Sequence, residues 1–485
     1  MRTQTLLRLF VLAAVFALAA VPAGAANVVI INNDGAGEGF NDPSTPDPTW
    51  GCPDGMTLGE CRLNAFQAAG DRWGELMTSP VEIRVAAQMN PMTCSGLGAV
   101  LGSTAPGPPV RDFPNAPFAN TWYHSALADS LAGYDLYPAG VEMSITFNSN
   151  LDDDPACTLN WWYGTNGEFP GNFYVNPDPY ATHFFAVVLH EMGHGLGHAD
   201  FVNLTNGQLL GGYPDIYTRF MYDVSLGLHW NEMTNPQRVA SAVNTGNVVY
   251  DGPQDKAAAD LFLTGNNIEL TVNSGTYTGR GGWFGGGWAL IDGLSATIEV
   301  VNDGTGASTS DACEPLVGFT PGNIAFIDRG TCAFGLKSVY AEQAGAVAVI
   351  IANNQGGTAL VNMSGSQWSR LVTIPVMMIT ENDGNTVRPF LPAAGSFLVL
   401  DVNGLHANGY PLIYAPGVLE LGSSMSHYDT TAEPSALMEP FVNVDLYDNP
   451  DMTLGMYLDE GWVVGLLFGD GFESGDVTAW SAFVP

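Results

Sequence analysis

Lysine is almost missing from this sequence. Only Lys256 and Lys337 occur among 485 residues, and lysine and arginine together number 14 against 49 aspartates and glutamates, a formal charge of −35. Binding to phosphate backbones or anionic bilayers needs clusters of basic side chains, so nucleic acid and acidic membrane surfaces are excluded as partners. No Cys-x-x-Cys pair occurs, which removes cysteine zinc sites and thioredoxin-type redox centres. No Gly-Thr-Ser nucleophile segment is found. Beyond the first 25 residues no apolar run approaches the ~18 residues of a membrane span.

What is present is a turn-rich chain with ample core material. Apolar residues make up 46%, charged residues 13%, and there are 58 glycines and 31 prolines. The N-terminus carries Arg2 and Arg8, an apolar run from Leu9 to Val21 and the small residues Ala23-Gly24-Ala25. This pattern reads as a signal peptide over residues 1–25, hence a secreted chain without membrane insertion. The six cysteines then favour disulfides, and proximity suggests Cys52–Cys61 and Cys313–Cys332, leaving Cys94–Cys157.

Hydrophobic periodicity predicts helices over Arg62–Met77 and Trp122–Leu131 and strands at Val81–Val85 and Val141–Phe147, with a Pro/Gly-rich loop from Thr104 to Pro117. The fold class expected is α+β. From about residue 252 the texture becomes Gly-rich and β-like, with short apolar strands at Ile324–Asp328, Val347–Ile351 and Ile374–Ile379. Residues 26–251 and 403–465 then form one unit interrupted by a second at 252–402, and an acidic Gly/Asp tail occupies 466–485. Acidic residues alternating with glycine in that tail admit Ca2+, although the spacing is not that of an EF-hand.

The chemistry concentrates in Phe184–Asp200, FFAVVLHEMGHGLGHAD. Asp178-Pro179 offers a cap and first helical position, and Gly193, Gly195 and Gly197 end the helix. His190-Glu191-x-x-His194 places two imidazoles on one helical face, where both reach a single Zn2+. Glu191 lies about 100° further round and suits a general base acting on a zinc-activated water. For the third ligand four residues are open. His198 is too far along a straight helix, spanning ~12 Å from His190, and reads as an outer or surface residue. Glu232 has little supporting pattern. Asp200 follows Gly197, where a turn swings a carboxylate back toward the metal. His427 stands far downstream in Ser426-His427-Tyr428.

The segment His190–Gly197 resembles the zinc helix of the metzincins, H-E-x-x-H-x-x-G. The leishmanolysin branch is the most similar, because there the third histidine is displaced by an insertion into a Ser-His-Trp-like element ahead of a Leu-Met-x-Pro turn. This chain has Ser426-His427-Tyr428 followed by Leu437-Met438-Glu439-Pro440. The resemblance implies His190, His194 and His427 as ligands and Met438 as the methionine turn. It departs from the branch at His198 and Tyr428, and Asp200 keeps H-E-x-x-H-x-x-G-x-x-D open.

Asp311-Ala312-Cys313-Glu314-Pro315, Pro321–Phe334 and Ala344–Asn354 resemble a protease-associated (PA) domain, β-rich and non-catalytic, which implies an interaction or access role with an unspecified partner. Together these resemblances imply a metzincin-like catalytic domain split by a PA domain: a secreted zinc metalloendopeptidase acting on protein or peptide substrates, with Glu191 as base. The alternative is a non-catalytic, zinc-stabilised extracellular binding or adhesion protein that uses the PA domain.

Overall fold

The structure is a computed structural model describing residues 24–95, 98–165, 181–304, 306, 308–363, 368–442 and 451–464. The signal-peptide run, the Asp178-Pro179 cap and the acidic tail lie outside the described residues. Among the described residues no helix is long and apolar enough to cross a membrane.

The first layer grows from β1 (Val28–Asn32), α1 (Leu58–Leu76) and β2 (Ile83–Asn90). A capping box starts α1: Thr57 Oγ1 accepts from the Glu60 N–H, and Glu60 accepts from the Thr57 N–H, satisfying two of the four otherwise orphan donors of the first turn. Because β1 and β2 run parallel, α1 serves as their crossover. β3 (Gly102–Pro106), α2 (Ser125–Ala132) and β4 (Met143–Asn148) follow. The sheet order is β1-β2-β4-β3, with β3 antiparallel at the edge. The architecture is therefore mixed α/β, with helices and strands interleaved through a parallel crossover that the α+β expectation did not specify.

Two expectations need correction here. The loop expected from Thr104 begins instead inside β3, because an edge strand tolerates Pro106, whose missing N–H faces no ladder partner. The helix expected from Trp122 begins only at Ser125, since Trp122 and Tyr123 form a short antiparallel pairing with Val110 and Arg111.

Across this sheet lies α3 (Phe184–Leu196). Its first six residues, Phe184 to Leu189, are all buried, so the helix is apolar nearly all round and sits inside the core. Trp73 of α1 is fully buried and donates its indole N–H to the Leu189 carbonyl at 3.1 Å. Burying side chains of this size contributes ~1.5–3 kcal/mol each. Gly193 and Gly195 lie within the helix rather than ending it. A Cβ on either would stand 2.5 Å from Met438 Sδ and 2.4 Å from Met143 Sδ, respectively, so these glycines permit close packing.

The helix α4 (Pro253–Phe262) belongs to the first core through Ala259 and Leu263, not to the second unit expected to begin at residue 252. It packs against α6 (Thr453–Glu460), and the Asp459 carboxylate accepts the N–H groups of Gln254 at 3.0 Å and Asp255 at 2.9 Å. A carboxylate at a helix N-terminus is favourable on both hydrogen-bond and dipole grounds.

Between α4 and α6 the chain builds a closed seven-stranded barrel. Its strands are β5 (Gly265–Val272), β6 (Gly275–Gly281), β7 (Ser295–Val300), β8 (Ile324–Asp328), β9 (Ala348–Ala352), β10 (Val376–Ile379) and β11 (Ala393–Val402), with order β5-β6-β10-β9-β8-β7-β11 and β11 closing on β5. β9 and β10 are buried throughout, as parallel strands covered on both faces must be. Ile324 and Phe326 point into the barrel, whereas Ala325 and Ile327 pack outward in a core shared with Val339 and Ala341 of α5 (Phe334–Gln343). The chain enters and leaves at adjacent points, since the Asn403 N–H donates to the Thr264 carbonyl at 3.3 Å. All three cysteine pairs form as proximity suggested: Cys52–Cys61, Cys94–Cys157 and Cys313–Cys332.

Candidate active site

One helical turn brings His190 and His194 together, and the segment after the barrel brings in His427. Tyr414 N–H donates to the His427 carbonyl at 2.8 Å, and Tyr428 N–H to the Met438 carbonyl at 2.9 Å, fixing the segment against its neighbours. The three Nε2 atoms lie 3.2 Å from one another.

Each ring is oriented by a backbone carbonyl at 2.7 Å from its Nδ1: Leu437 for His190, His198 for His194 and Ser423 for His427. A carbonyl only accepts, so Nδ1 carries the proton in all three rings and each Nε2 presents a lone pair. Burial lowers the pKa of all three, that of His194 to about 3 with His190 contributing, which keeps them neutral.

Three lone pairs facing each other at this distance repel unless a cation lies between them. Zinc–nitrogen bonds of ~2.0–2.1 Å in tetrahedral geometry separate ligand nitrogens by roughly 3.3–3.4 Å. The donor set, its protonation and its spacing therefore fit zinc.

Glu191 is buried, 6% exposed. Burial pushes its carboxyl up to about 7, against the opposing effect of a hydrogen bond from Thr104. Thr104 Oγ1 lies 2.7 Å from Glu191 Oε2, and Gly102 closes over the other oxygen, where a Cβ would stand 2.8 Å from Oε1. Met438 is fully buried and packs against Gly193 of α3. His190, Glu191, His194 and His427 all line one cleft of about 1460 Å³, bordered by β3 and residues 421–424 and 439–442.

The remaining candidates separate clearly. The carboxylate of Asp200 is not in the three-histidine cluster; its Oδ1 accepts the Val202 N–H at 2.7 Å. Burial, reinforced by Asp215, pushes its carboxyl up to about 8. Glu232 accepts from the His229 N–H at 3.0 Å in a short 3-10 turn. His198 is fully buried rather than at the surface, its ring 5.4 Å from Tyr217 and 4.9 Å from Tyr428. Its backbone turns back under α3 to hold His194. Tyr428 donates its hydroxyl to Asp255 Oδ1 at 2.7 Å, joining the third histidine to α4.

Sequence reasoning missed Thr104, Gly102 and Asp451. Asp451 accepts the N–H of Leu437, the same residue whose carbonyl orients His190. No local pattern marks any of them.

Comparison with known proteins adds the following. The family model for the PA domain matches residues 296–387, so a PA domain is present and corresponds to much of the barrel. Signal peptide peptidase-like 2 of Arabidopsis thaliana is 31% identical over 85 residues, 18% of this chain and 16% of that protein. Signal peptide peptidase-like 3 of the same plant is 35% identical over 77 residues, 16% of this chain and 14% of that protein. The chain thus spans about a sixth of the length of these relatives. Among solved structures, a zinc aminopeptidase from Bacillus subtilis has 23% identity, covering 30% of this chain and 36% of that one at a TM-score of 0.21. An aminopeptidase from Aneurinibacillus sp. strain AM-1 has 20% identity, covering 33% and 39% at 0.22.

Proposed function

We propose that this protein is an exported zinc metalloendopeptidase of metzincin type, in which His190, His194 and His427 hold the metal and Glu191 is the general base. The observation that carries the reading is the convergence of three Nε2 lone pairs 3.2 Å apart in a cleft shared with a buried carboxylate. A structural zinc site has no need of Glu191. The PA domain accords with a peptidase, and three disulfides accord with export.

Zinc bound there supplies Lewis acidity toward a peptide carbonyl. The residues do the rest. Glu191, held by Thr104, takes the proton of the attacking water and delivers it to the leaving nitrogen. The three Nδ1–carbonyl bonds keep the imidazoles from rotating. Internal cleavage is favoured over terminal trimming by the cleft lining. Among its described residues there is no lysine or arginine to hold a substrate carboxylate. The acidic candidates for a substrate ammonium are engaged with backbone: Asp200 with Val202, and Glu439 with Ala436 at 2.8 Å.

The test is hydrolysis of casein by the purified mature chain beside Glu191→Ala, with zinc content measured in both. Activity that disappears in the variant while zinc stays bound supports the assignment. A folded, zinc-loaded parent that cleaves neither casein nor a peptide library overturns it in favour of the binding-protein alternative.

A further inference from the structure

We propose that the PA barrel carries a calcium site formed by Asp303, Asp311 and Glu314. Each offers a carboxylate oxygen within 4.8 Å of the others, the span across one ion whose oxygen ligands lie at ~2.3–2.6 Å. The donors are hard oxygens only, which suits calcium and not zinc.

Acidic neighbours alone are common; the burial of these is not. Asp303 is 3% exposed and Asp311 4%. Asp311 Oδ1 accepts the Cys313 N–H at 3.4 Å, whereas neither oxygen of Asp303 nor Glu314 Oε2 meets a donor in hydrogen-bonding geometry. Buried, unpaired carboxylates are strongly disfavoured unless a cation meets them. The adjacent, buried Lys337 offsets their charge only in part and bonds none of their carboxylate oxygens. Its ammonium turns instead to the Asp311 carbonyl oxygen and to Cys313 Sγ at 3.3 Å, and Arg388 is engaged by Asp328. A second acidic cluster, Asp129, Asp135 and Glu142, differs in this respect, because Arg84 reaches Asp135 at 2.8 Å and Glu142 at 3.2 Å.

The backbone around the three carboxylates is built to hold them. Asp303 N–H donates to the Thr309 carbonyl at 2.9 Å, Val317 N–H to Asn302 at 2.7 Å and Asp328 N–H to Ser310 at 2.8 Å. A Cβ at Gly330 would stand 2.3 Å from Asp311 Oδ2, so glycine leaves room for that carboxylate. The Cys313–Cys332 disulfide anchors the far end. Calcium would tie this crossing segment to the barrel, with the ~10⁻⁴–10⁻³ M affinity usual for extracellular modules.

The experiment is equilibrium dialysis of the full chain against calcium after treatment with EGTA, followed by thermal melting with and without the ion, with zinc content monitored throughout. One bound calcium and a melting temperature raised by several degrees are expected. Asp303→Asn and Glu314→Gln should each lose the ion and the shift, whereas Asp470→Asn/Asp476→Asn in the tail should keep both. In EGTA, Asp303→Asn should melt at or above the parent, because a buried charge has gone; a lower melting point there marks a purely structural carboxylate and overturns the site. So does the absence of binding in the parent at several times the expected affinity range, binding unchanged in both barrel variants, or binding lost with the tail variant.

Discussion

Thr104 and Glu191 meet twice across the edge of the first sheet. Thr104 Oγ1 is 2.7 Å from the Glu191 carboxylate and 2.8 Å from the Glu191 carbonyl oxygen. The strand β3 is thereby locked to α3 at the residue proposed to move the proton, with Oε2 held by the Thr104 hydroxyl and Gly102 leaving room for Oε1. Thr104→Val keeps the shape and removes the hydroxyl. Losing a hydrogen bond that orients a reacting group at a metal centre commonly costs ~10–100-fold. The expected result is a fall of that size in kcat, with KM and zinc content little changed and activity largely restored in Thr104→Ser. Steady-state kinetics with metal analysis decides it; an unaltered kcat in the valine variant removes Thr104 from the mechanism.

Gly102 makes a complementary prediction. A methyl group there would lie 2.8 Å from Glu191 Oε1 and 3.0 Å from its Cγ, closer than nonbonded atoms approach. Because the side chain is buried, the carboxylate must shift rather than swing into solvent. Gly102→Ala should lower kcat about tenfold or more, as displacements near 1 Å do, while the melting temperature changes by no more than a few degrees. Full activity would show that the carboxylate has room to move.

How far the sequence reveals this site follows from the range of each interaction. His190, Glu191 and His194 are legible because one helical turn sets their geometry locally. His427 is 233 residues beyond His194, and only the resemblance of Ser426-His427-Tyr428 and Leu437-Met438 to a known arrangement drew attention to it. Thr104 and Gly102 are hidden because their roles come from the packing of β3 on α3, and composition reads Thr104 as the start of a loop. β2 and β4 were visible through period-two alternation. The burial of His198 was not, since nothing local tells that Tyr217 and Tyr428 will cover it.

Asp129 should make stability depend on pH. Its carboxyl, 2% exposed, is pushed up to about 6, first by burial and then by Asp135 and Glu142, against the opposing hydrogen bond from Leu136. The folded state therefore holds the proton more tightly than the unfolded chain, whose aspartate titrates near 3.8. Stability is full below that value, declines as pH rises through about 6, and is flat above. Asp129→Asn is neutral throughout and can still accept the Leu136 N–H. It should be more stable than the parent at pH 7 by about 1–3 kcal/mol, an advantage that vanishes near pH 4. Melting curves at both values provide the check, and equal stability at pH 7 refutes the linkage.

The third ligand can be decided without measuring activity. His427 contributes an Nε2 3.2 Å from both other imidazoles, whereas Asp200 spends a carboxylate oxygen on the Val202 N–H. If zinc is held by three imidazoles, removing one leaves two ligands from a single helix, which is too few to hold the ion against a chelator. His427→Ala should therefore lose its zinc to a competing chelator at concentrations at least tenfold below those that strip the parent. It should also lose the rise in melting temperature that zinc gives the parent. Asp200→Asn should retain both, because its amide oxygen can still accept from Val202. The reverse pattern, with zinc lost from the Asp200 variant and kept by the His427 variant, would make the carboxylate the ligand and His427 a packing residue.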